Sequence, residues 1–526
     1  MASKLGNYDG QMRTALPTFR HAACMGSRMS KNKSHERYWR APQADRLALI
    51  VDACDYFRHL REVIIATRQQ LMLIGWDFDL EIEMLPGESD KDGLAPDGLP
   101  NKIGPFLEKV IERNTDLHIY ILKWNGAVLV APGRLAPGAA LAAFGSARIH
   151  FALDGHHPFG ACHHQKIVVA DDSIAFCGGI DMTENRWDTS EHLPNDPRRL
   201  RKDGSPSEPW HDATTAVSGP AAAALGDLAR QRWKRAQDET LEEPSPRDAA
   251  VWPDDLSPNA TDIEVGIART QPPFDGSPLI NEIEKSLLHA IETAESSLYI
   301  ESQYFTGDSV CEALEKRLKE KGGPEIVIIN PEYALSPFED DAMHEQRDRK
   351  ISQLSDADRE ERFRMYYPVT KAEQSIYVHA KIFIADQKIL HIGSANMNNR
   401  SMGFDTECNM IIEGQEELIA GFRTRLLSEH LAVSAEEFDE THKERGGLIA
   451  AVEALNSTDG RGLRKMIDRP SSLRGNLLAD TQIMDPRYAE GDTTSAGQGI
   501  RPRHIAALIG TTVAGYLGWR GWRKRK

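Results

Sequence analysis

Residues 164–171 of the chain are His164-Gln165-Lys166-Ile167-Val168-Val169-Ala170-Asp171. The apolar, β-branched run at 167–169 predicts a buried strand, and the apolar residues 174–176 predict the strand that returns after a turn. Because side chains alternate across an extended strand, His164 and Lys166 are expected to project from the same face. The segment therefore places a titratable imidazole beside a fixed cation.

The same pattern occurs again 215 residues later, in His379-Ala380-Lys381-Ile382-Phe383-Ile384-Ala385-Asp386. In both copies, Lys lies two residues after the His, Asp seven, Gly fourteen, a small residue fifteen and Asp or Asn seventeen. A single copy would most often be an ordinary buried strand, but two copies that agree at six positions predict a duplicated unit. The candidate catalytic residues are His164, Lys166, Asp171, His379, Lys381 and Asp386.

The same succession of predicted elements precedes each copy. In the first half a helical segment at 56–70 leads into an apolar strand at 71–76, and in the second half 280–296 leads into 297–301. Helices that alternate with apolar strands predict an α/β sandwich. The duplication then predicts an α/β fold of two pseudo-twofold-related α-β-α sandwich halves, with one active site at their interface and a short C-terminal hydrophobic helix.

Length and composition suggest how the chain is divided. At 526 residues it is long for a single core, and the stretch 239–259, rich in Pro, Asp and Glu, is typical of a connector. The predicted units are a disordered basic extension at 1–45, an N-terminal half at 46–238, a linker at 239–275, a C-terminal half at 276–434, a partly disordered tail at 435–504 and a membrane-anchoring helix at 505–519.

The last of these units carries the membrane character of the sequence. Residues 505–519 are uncharged and mostly apolar, and five cations follow within 520–526. As a helix the segment would be about 22 Å long, shorter than a hydrocarbon core of about 30 Å. Flanking cations can snorkel to the interface. A tail anchor, an interfacial helix and a helix docked on the protein body all stay open, and membrane contact is favoured.

Charge and cysteine content indicate which class of partner and which cellular compartment to expect. The net charge of −16 argues against a broad nucleic-acid-binding surface. The six cysteines form no CxxC pair, which favours free thiols in a reducing compartment, although pairing in an oxidising one stays open. Residues 1–45 hold no apolar run long enough for a secretory signal. We therefore expect a cytoplasmic protein, peripheral to or tail-anchored in a membrane, whose oligomeric state is undetermined.

The residue types of the two motifs suit attack on a phosphodiester. Such a group carries a permanent negative charge, so its cleavage needs cations, a nucleophile and an acid for the leaving oxygen. If the two motifs meet, Lys166 and Lys381 can hold the phosphoryl oxygens, while one imidazole attacks phosphorus and the other protonates the leaving alcohol. This chemistry requires no metal and no cofactor, and we expect neither.

The duplicated H-x-K-x4-D pattern, with its trailing Gly-Gly-x-Asp and Gly-Ser-x-Asn, resembles the phospholipase D superfamily, and within it the two-motif, phosphatidylcholine-cleaving branch. The resemblance covers about residues 46–430. Asn185 departs from the family, since many relatives carry Gly there, and we expect a tolerated change in a turn. Four accessory segments agree with the family, at 185–189, 209–212, 299–305 and 398–402.

The resemblance implies a phospholipid substrate and further site residues. It assigns the phosphate site to Ser394 and Asn396 and to their first-half counterparts Gly179 and Asp181. It also implies that a carboxylate orients each catalytic His, with Glu407 as the candidate from the second half and Asp188 as the candidate from the first. Which carboxylate serves which His stays open.

Three further roles are expected. By analogy with two-motif relatives, His164 is the expected nucleophile and His379 the acid and later the base. Asp171 and Asp386, at the two hairpin turns, are expected to hold the local backbone rather than to touch substrate. His211 has two interpretations, as a contact to the head group or as a structural partner of Asp212.

Three functions remain in competition. The first is a phospholipase D that releases phosphatidic acid. The second is a phosphatidyl transferase of the cardiolipin-synthase type, whose relatives usually carry two N-terminal membrane spans that this sequence lacks. The third is a nuclease or an inactive member, which the acidic charge and the intact motifs disfavour. The hydrolase is preferred.

Removal of residues 501–526 should weaken binding to anionic vesicles and activity on bilayers, because each cation near an anionic leaflet contributes about 1 kcal/mol. Cleavage of a soluble phosphodiester should stay unchanged, and vesicle flotation with a soluble-substrate assay checks both. Undiminished vesicle binding by the truncated chain would contradict an anchoring role, and loss of soluble-substrate activity would identify a docked structural helix instead.

Overall fold

A computed structural model describes residues 36–126, 146–246, 251–467, 473–482 and 484–488. The predictions for residues 1–35 and 505–519 lie outside this part of the chain. Within it, no helix combines the length and the apolar character that crossing a bilayer requires.

The described residues form helices and strands that alternate along the chain in each half. The strands are β1 (Gln43–Val51), β2 (Gln70–Gly75), β3 (His118–Trp124), β4 (Ile149–Asp154), β5 (Ile167–Ala170), β6 (Ile174–Gly178), β7 (Trp210–His211), β8 (Ala213–Ser218), β9 (Ala260–Glu264), β10 (Gly266–Gln271), β11 (Ile280–Asn281), β12 (Ser297–Glu301), β13 (Glu325–Ile329), β14 (Phe363–Val369), β15 (Tyr377–Val378), β16 (Ile382–Ala385), β17 (Ile389–Gly393), β18 (Glu407–Glu413) and β19 (Gly462–Lys465). The helices are α1 (Ala53–Ala66), α2 (Ile103–Arg113), α3 (Pro220–Gln237), α4 (Glu282–Thr293), α5 (Asp308–Lys319), α6 (Pro337–Ala357), α7 (Asn399–Gly403), α8 (Glu416–Leu431), α9 (Ala435–Arg445), α10 (Leu448–Leu455) and α11 (Leu473–Thr481).

Two large mixed sheets repeat one strand order. The first sheet has the strand order β4-β3-β2-β5-β6-β8-β1-β9. The second sheet, given from its opposite edge, has the order β19-β14-β13-β12-β16-β17-β18-β10-β11. Seven strands correspond between them, with β5 and β6 matching β16 and β17, the hairpins that follow the two motifs. The predicted duplication is therefore present in the topology.

The strand after each motif is buried on both faces, as its unbroken apolar sequence predicts. Ile167 and Val169 of β5 belong to a core shared by both sheets, which α3 and α8 help to fill, whereas Val168 faces the core beneath α1 and α2. In the second half Phe383 faces the core beneath α4 and α5. Each sheet thus has helices on both faces, which is the predicted α-β-α sandwich.

Three of the predicted units differ from the structure at their edges. The expected N-terminal extension ends earlier than residue 45, because β1 begins at Gln43 and Tyr38 is buried against the second half. The expected linker at 239–275 contains β9 and β10, which belong to different sheets. The expected tail at 435–504 contributes β19, which pairs with the edge strand β14. In each case backbone pairing with a neighbouring strand orders a segment of polar composition.

Two short backbone pairings connect the halves beside the motifs. Strand β15 pairs in parallel with β7, and the amide of His379 donates to the carbonyl oxygen of His211 over 2.8 Å. The equivalent contact on the other side is the bridge between His163 and Thr406, where the amide of His164 donates to the Thr406 carbonyl oxygen over 2.9 Å. The residues immediately after the two carbonyls are Asp212 and Glu407.

The turn aspartates hold the backbone, as expected. The carboxylate of Asp171 accepts hydrogen bonds from the amides of residues 68–70 at 2.8 Å, and that of Asp386 accepts from the amides of residues 295–297 at 2.8–3.0 Å. Both residues have positive φ, 49° and 54°. They lie at the far ends of β5 and β16 from the motif histidines, so their inclusion among the candidate catalytic residues is corrected: they are structural.

Replacing Asp171 or Asp386 with Ala should lower the free energy of unfolding by about 2–4 kcal/mol, because three backbone amides, one of them buried, lose a charged acceptor. Asp262, which is exposed and also has a positive φ of 53°, is the matched control. Its replacement with Ala should have an effect below about 1 kcal/mol. Urea unfolding measures the free energy of unfolding of all three variants. Equal losses of stability at the three positions would show that the positive φ, and not the hydrogen bonds to the carboxylate, determines the effect.

Candidate active site

The two motif histidines meet at the interface of the halves, and each is held by a carboxylate of the other half. His164 Nδ1 lies 3.1 Å from both carboxylate oxygens of Glu407, and His379 Nδ1 lies 2.6 Å from Asp212 Oδ2. A carboxylate on Nδ1 fixes the tautomer in which Nε2 carries the free lone pair. The arrangement leaves both Nε2 atoms available to a ligand between the halves.

The lysines complete a group of four side chains, which we call the His/Lys cluster: His164, Lys166, His379 and Lys381. Lys166 Nζ donates to the carbonyl oxygen of His164 over 2.8 Å and lies 3.2 Å from Asp181 Oδ2. Lys381 Nζ donates to the carbonyl oxygen of His379 and to Gln303 Oε1. These contacts fix each ammonium group beside the imidazole of its own motif.

Burial dominates the electrostatics of the cluster. It lowers the pKa of His164 and of His379 well below the usual value, and the nearby lysines lower both further. Burial also lowers the pKa of Lys381 to about 7. Both imidazoles are therefore neutral at pH 7 when the site holds no anion. The side chain of His164 is 14% exposed and that of His379 is 4% exposed, so the cluster opens on the His164 side.

Burial acts in the opposite direction on the carboxylates. It raises the pKa of Asp212 to about 6 and that of Glu407 to about 7. The hydroxyl groups of Ser394 and Ser401 donate to Glu407, and its pKa would be higher without them. Lys381 of the cluster and the two orienting carboxylates, Asp212 and Glu407, are thus groups whose pKa lies near neutral.

The residues expected to bind phosphate lie around the cluster, but each makes a different set of contacts. Asp181 accepts from the amide of Trp76 and faces Lys166, whereas Ser394 binds Glu407. Among the described residues, the buried Asn396 Oδ1 has no hydrogen-bond partner. Gly179 is required by space, because a Cβ there would lie 2.1 Å from Asp212 Oδ1. A contact of these residues with phosphate stays a prediction.

The prediction that Asp188 orients a catalytic histidine is wrong. Its carboxylate binds His192 Nδ1 at 2.9 Å, the Arg199 guanidinium at 2.9–3.0 Å and the amide of Trp210 at 2.9 Å. Asp188 is fully buried and stabilises the segment that carries Asp212. The structure answers the question of which carboxylate serves which histidine: each histidine takes the carboxylate of the other half, because the backbone bridges cross between the halves.

Asp212 is the orienting residue that the sequence prediction missed. Gly178 pairs with Thr214 and its counterpart Gly393 pairs with Asn409, so Asp212 and Glu407 occupy equivalent positions two residues earlier. The insertion between β6 and β8 hides this equivalence in the sequence. Aligning the two halves on β8 and β18, the strands that pair with β6 and β17, would have revealed this equivalence.

His211 takes neither of its two predicted roles. It is completely buried, and its Nε2 lies 2.8 Å from Glu301 Oε2, away from Asp212 and from the His/Lys cluster. Asn185, in contrast, behaves as expected: its φ of 64° falls in the left-handed region that Gly favours and Asn tolerates.

Three of the four accessory segments, at 185–189, 209–212 and 299–305, contribute to the wall around His379. The Trp210 ring lies 5.1 Å from the His379 ring and stacks on Tyr377 at 4.7 Å. The Arg186 guanidinium lies 4.4 Å from the Trp210 ring and contributes to the lowered pKa of His379. Gln303 links Tyr377 to Lys381. The wall therefore combines aromatic surface with a further cation.

Two family models match this chain. Residues 152–251 match the model described as phospholipase D, and residues 287–428 match the model described as cardiolipin synthase, PLD-like domain. Each match contains one motif with its His and Lys.

Curated relatives are similar at low identity. Phospholipase D alpha 1 of Vigna unguiculata is 23% identical over 73% of this chain, and phospholipase D1 of Schizosaccharomyces pombe is 23% identical over 76%. The chain spans 64% of the first relative and 36% of the second.

A solved structure shares the fold. The phosphatidylserine synthase of Haemophilus influenzae Rd KW20 aligns with a TM-score of 0.54 at 12% identity, over 76% of this chain and 90% of that one. At this identity the likeness concerns the fold alone.

Binding of a divalent anion should be accompanied by proton uptake. An anion between the halves favours the charged form of Lys381, whose pKa is about 7 when the site is empty, and it also raises the pKa of His379 and Glu407. Sulfate, which does not titrate in this range, should therefore bind more weakly as the pH rises from 7 to 9, by up to about tenfold per unit for one linked proton.

Calorimetry in buffers of different ionisation enthalpy measures this uptake. The variant Lys381→Met should show a smaller pH dependence. Proton release on binding by the unmodified chain would contradict the assigned electrostatics.

Proposed function

Because the chain belongs to the phospholipase D superfamily, we propose that it hydrolyses the distal phosphodiester bond of a glycerophospholipid, releasing phosphatidic acid and the free head-group alcohol. One observation carries this proposal: two imidazoles, each oriented by a carboxylate of the opposite half, converge with two lysines at a single interface. These groups supply a nucleophile, an acid and fixed positive charge.

In the first step, Nε2 of His164 attacks phosphorus. The bond between phosphorus and the head-group oxygen breaks, and His379 gives its proton to that oxygen. His379 is neutral in the empty site, and the bound phosphodiester anion favours its protonation. The product of this step is a phosphatidyl group on His164 and a free alcohol.

In the second step, His379 removes a proton from water, and the resulting hydroxide displaces His164 from phosphorus. The new bond joins the water oxygen to phosphorus, and the bond to Nε2 breaks, so phosphatidic acid leaves and His164 is restored. Glu407 accepts from Nδ1 of His164 and stabilises the positive charge of the phosphohistidine. Lys166 and Lys381 offset the charge on the non-bridging oxygens in both steps.

The alternative is a phosphatidyl transferase of the cardiolipin-synthase type. It uses the same first step, but a lipid alcohol replaces water in the second. The match of residues 287–428 to the model described as cardiolipin synthase, PLD-like domain, favours this alternative. In either case the substrate resides in a bilayer, so we propose a cytoplasmic protein that acts at a membrane surface, peripherally or through residues 505–519.

The deciding experiment is to incubate the purified chain with defined phospholipids, with and without glycerol or phosphatidylglycerol, and to identify the products by mass. Phosphatidic acid as the main product, even with acceptor present, is expected. Phosphatidyl transfer as the main product would select the alternative, and an unchanged lipid pool would overturn both.

Variants of the cluster test the mechanism with a matched control. His164→Ala, Lys166→Ala, His379→Ala and Lys381→Ala should each lower turnover by about 10³-fold or more, with non-additive combinations, because the four residues act as one unit. Asp212→Asn should lower turnover by about 10²-fold or more. Asp188→Asn should instead lower thermal stability and leave turnover per folded molecule within a few fold. A phosphoenzyme trapped on His379 would reverse the two histidine roles.

A further inference from the structure

A second group of ionisable side chains lies at the interface of the halves, apart from the His/Lys cluster. Asp52 follows β1, His192 lies in the loop after β6, His211 lies in β7 and Glu429 lies in α8. One ligand atom from each of the four lies within 4.8 Å of the other three. The residues come from both halves, and none of them touches the reacting groups in the proposed mechanism.

The separations within this group fit a tetrahedral ion. His192 Nε2 lies 3.2 Å from Glu429 Oε1 and 3.7 Å from Asp52 Oδ2, and His211 Nδ1 lies 3.0 Å from Glu429 Oε1 and 3.4 Å from Asp52 Oδ1. Ligands about 2.0–2.1 Å from a tetrahedral Zn²⁺ are about 3.3 Å from one another. The two separations from the shared Glu429 oxygen, 3.2 and 3.0 Å, lie close to that value, and the two imidazoles approach different oxygens of Asp52, at 3.7 and 3.4 Å.

The hydrogen bonding of the two imidazoles also fits metal ligation. His192 Nδ1 lies 2.9 Å from Asp188 Oδ2, and His211 Nε2 lies 2.8 Å from Glu301 Oε2. In each ring a carboxylate therefore receives the proton of one nitrogen, and the other nitrogen points into the group. This carboxylate–histidine–metal pattern fixes the tautomer of histidines that bind zinc.

Unpartnered atoms point to an occupant. Among the described residues, the buried Asp52 Oδ2 and His211 Nδ1 form no hydrogen bond. His211 Nδ1 is only 3.0 Å from Glu429 Oε1, yet the contact lacks hydrogen-bond geometry. Two polar atoms that approach closely without bonding to each other are typical of ligands around a common centre.

The group contains more acidic than basic side chains. Four carboxylates meet here, and two guanidinium groups, of Arg199 and Arg461, act on them. With neutral imidazoles the carboxylates outnumber the guanidinium groups, and a divalent ion offsets this excess of acidic side chains. Two protons, one on each imidazole, would balance the same charge, but they would leave His211 Nδ1 without an acceptor of good geometry. The carboxylates are Asp52, Asp188, Glu301 and Glu429.

We propose that Asp52, His192, His211 and Glu429 bind one Zn²⁺ ion, which joins the two halves. Binding displaces any proton from His192 Nε2 and His211 Nδ1, and the four protein ligands fill the tetrahedral coordination sphere. No position is left for water or substrate, so the ion is structural. The sequence prediction of no metal is thereby revised for structure and retained for the chemical step.

The test uses the full chain, expressed with zinc supplementation and purified without chelators. Elemental analysis should find about one zinc per chain, and X-ray absorption should find two nitrogen and two oxygen ligands without sulfur. Less than about a tenth of a zinc per chain, or sulfur ligation, would overturn the proposal.

Variants locate the ion. Glu429→Gln, which keeps the side-chain shape, should lose the zinc. His391→Gln, at a buried histidine elsewhere, and His164→Ala, in the His/Lys cluster, should keep it. Loss of zinc from His164→Ala, with zinc retained by Glu429→Gln, would place the ion at the His/Lys cluster and overturn the proposal. If Glu429→Gln does not fold, the stoichiometry and ligand set of the unmodified chain decide.

Discussion

Each motif histidine depends on a carboxylate of the opposite half. The backbone fixes this exchange: the amides of His164 and His379 donate to the carbonyls of Thr406 and His211, and the next residue in each case is the orienting carboxylate. A shift of one residue in either bridge would point the carboxylate away from the ring, because side chains alternate along an extended chain. The geometry of the site is therefore set by main-chain pairing between the halves.

The sequence was most informative where its pattern is strongest. The duplicated apolar strands predicted a twofold α-β-α architecture and brought His164, Lys166, His379 and Lys381 together, because a continuous β-branched run is buried in only a few arrangements. The turn roles of Asp171 and Asp386 also followed from their position after such a strand. These are local consequences of strand geometry.

Other features depend on contacts between distant segments, which a single sequence does not display. Asp188 and Asp212 are both acidic residues near a tryptophan, and only the bridge between β7 and β15 distinguishes them. Segment 260–271 has the composition of a connector, and its strands form because unpaired edges of both sheets are available to it. His192 gives no signal of its own, since its partners are up to 237 residues away.

The crossing between the two sheets has a mechanical consequence. Strand β9 ends at Glu264 in the first sheet and β10 begins at Gly266 in the second, so the buried Val265 alone separates them. A joint of one buried residue, held on both sides by strand pairing, resists bending. We therefore expect the halves to stay together when a ligand enters, and entry to the interface to depend on rearrangement of the loops around it.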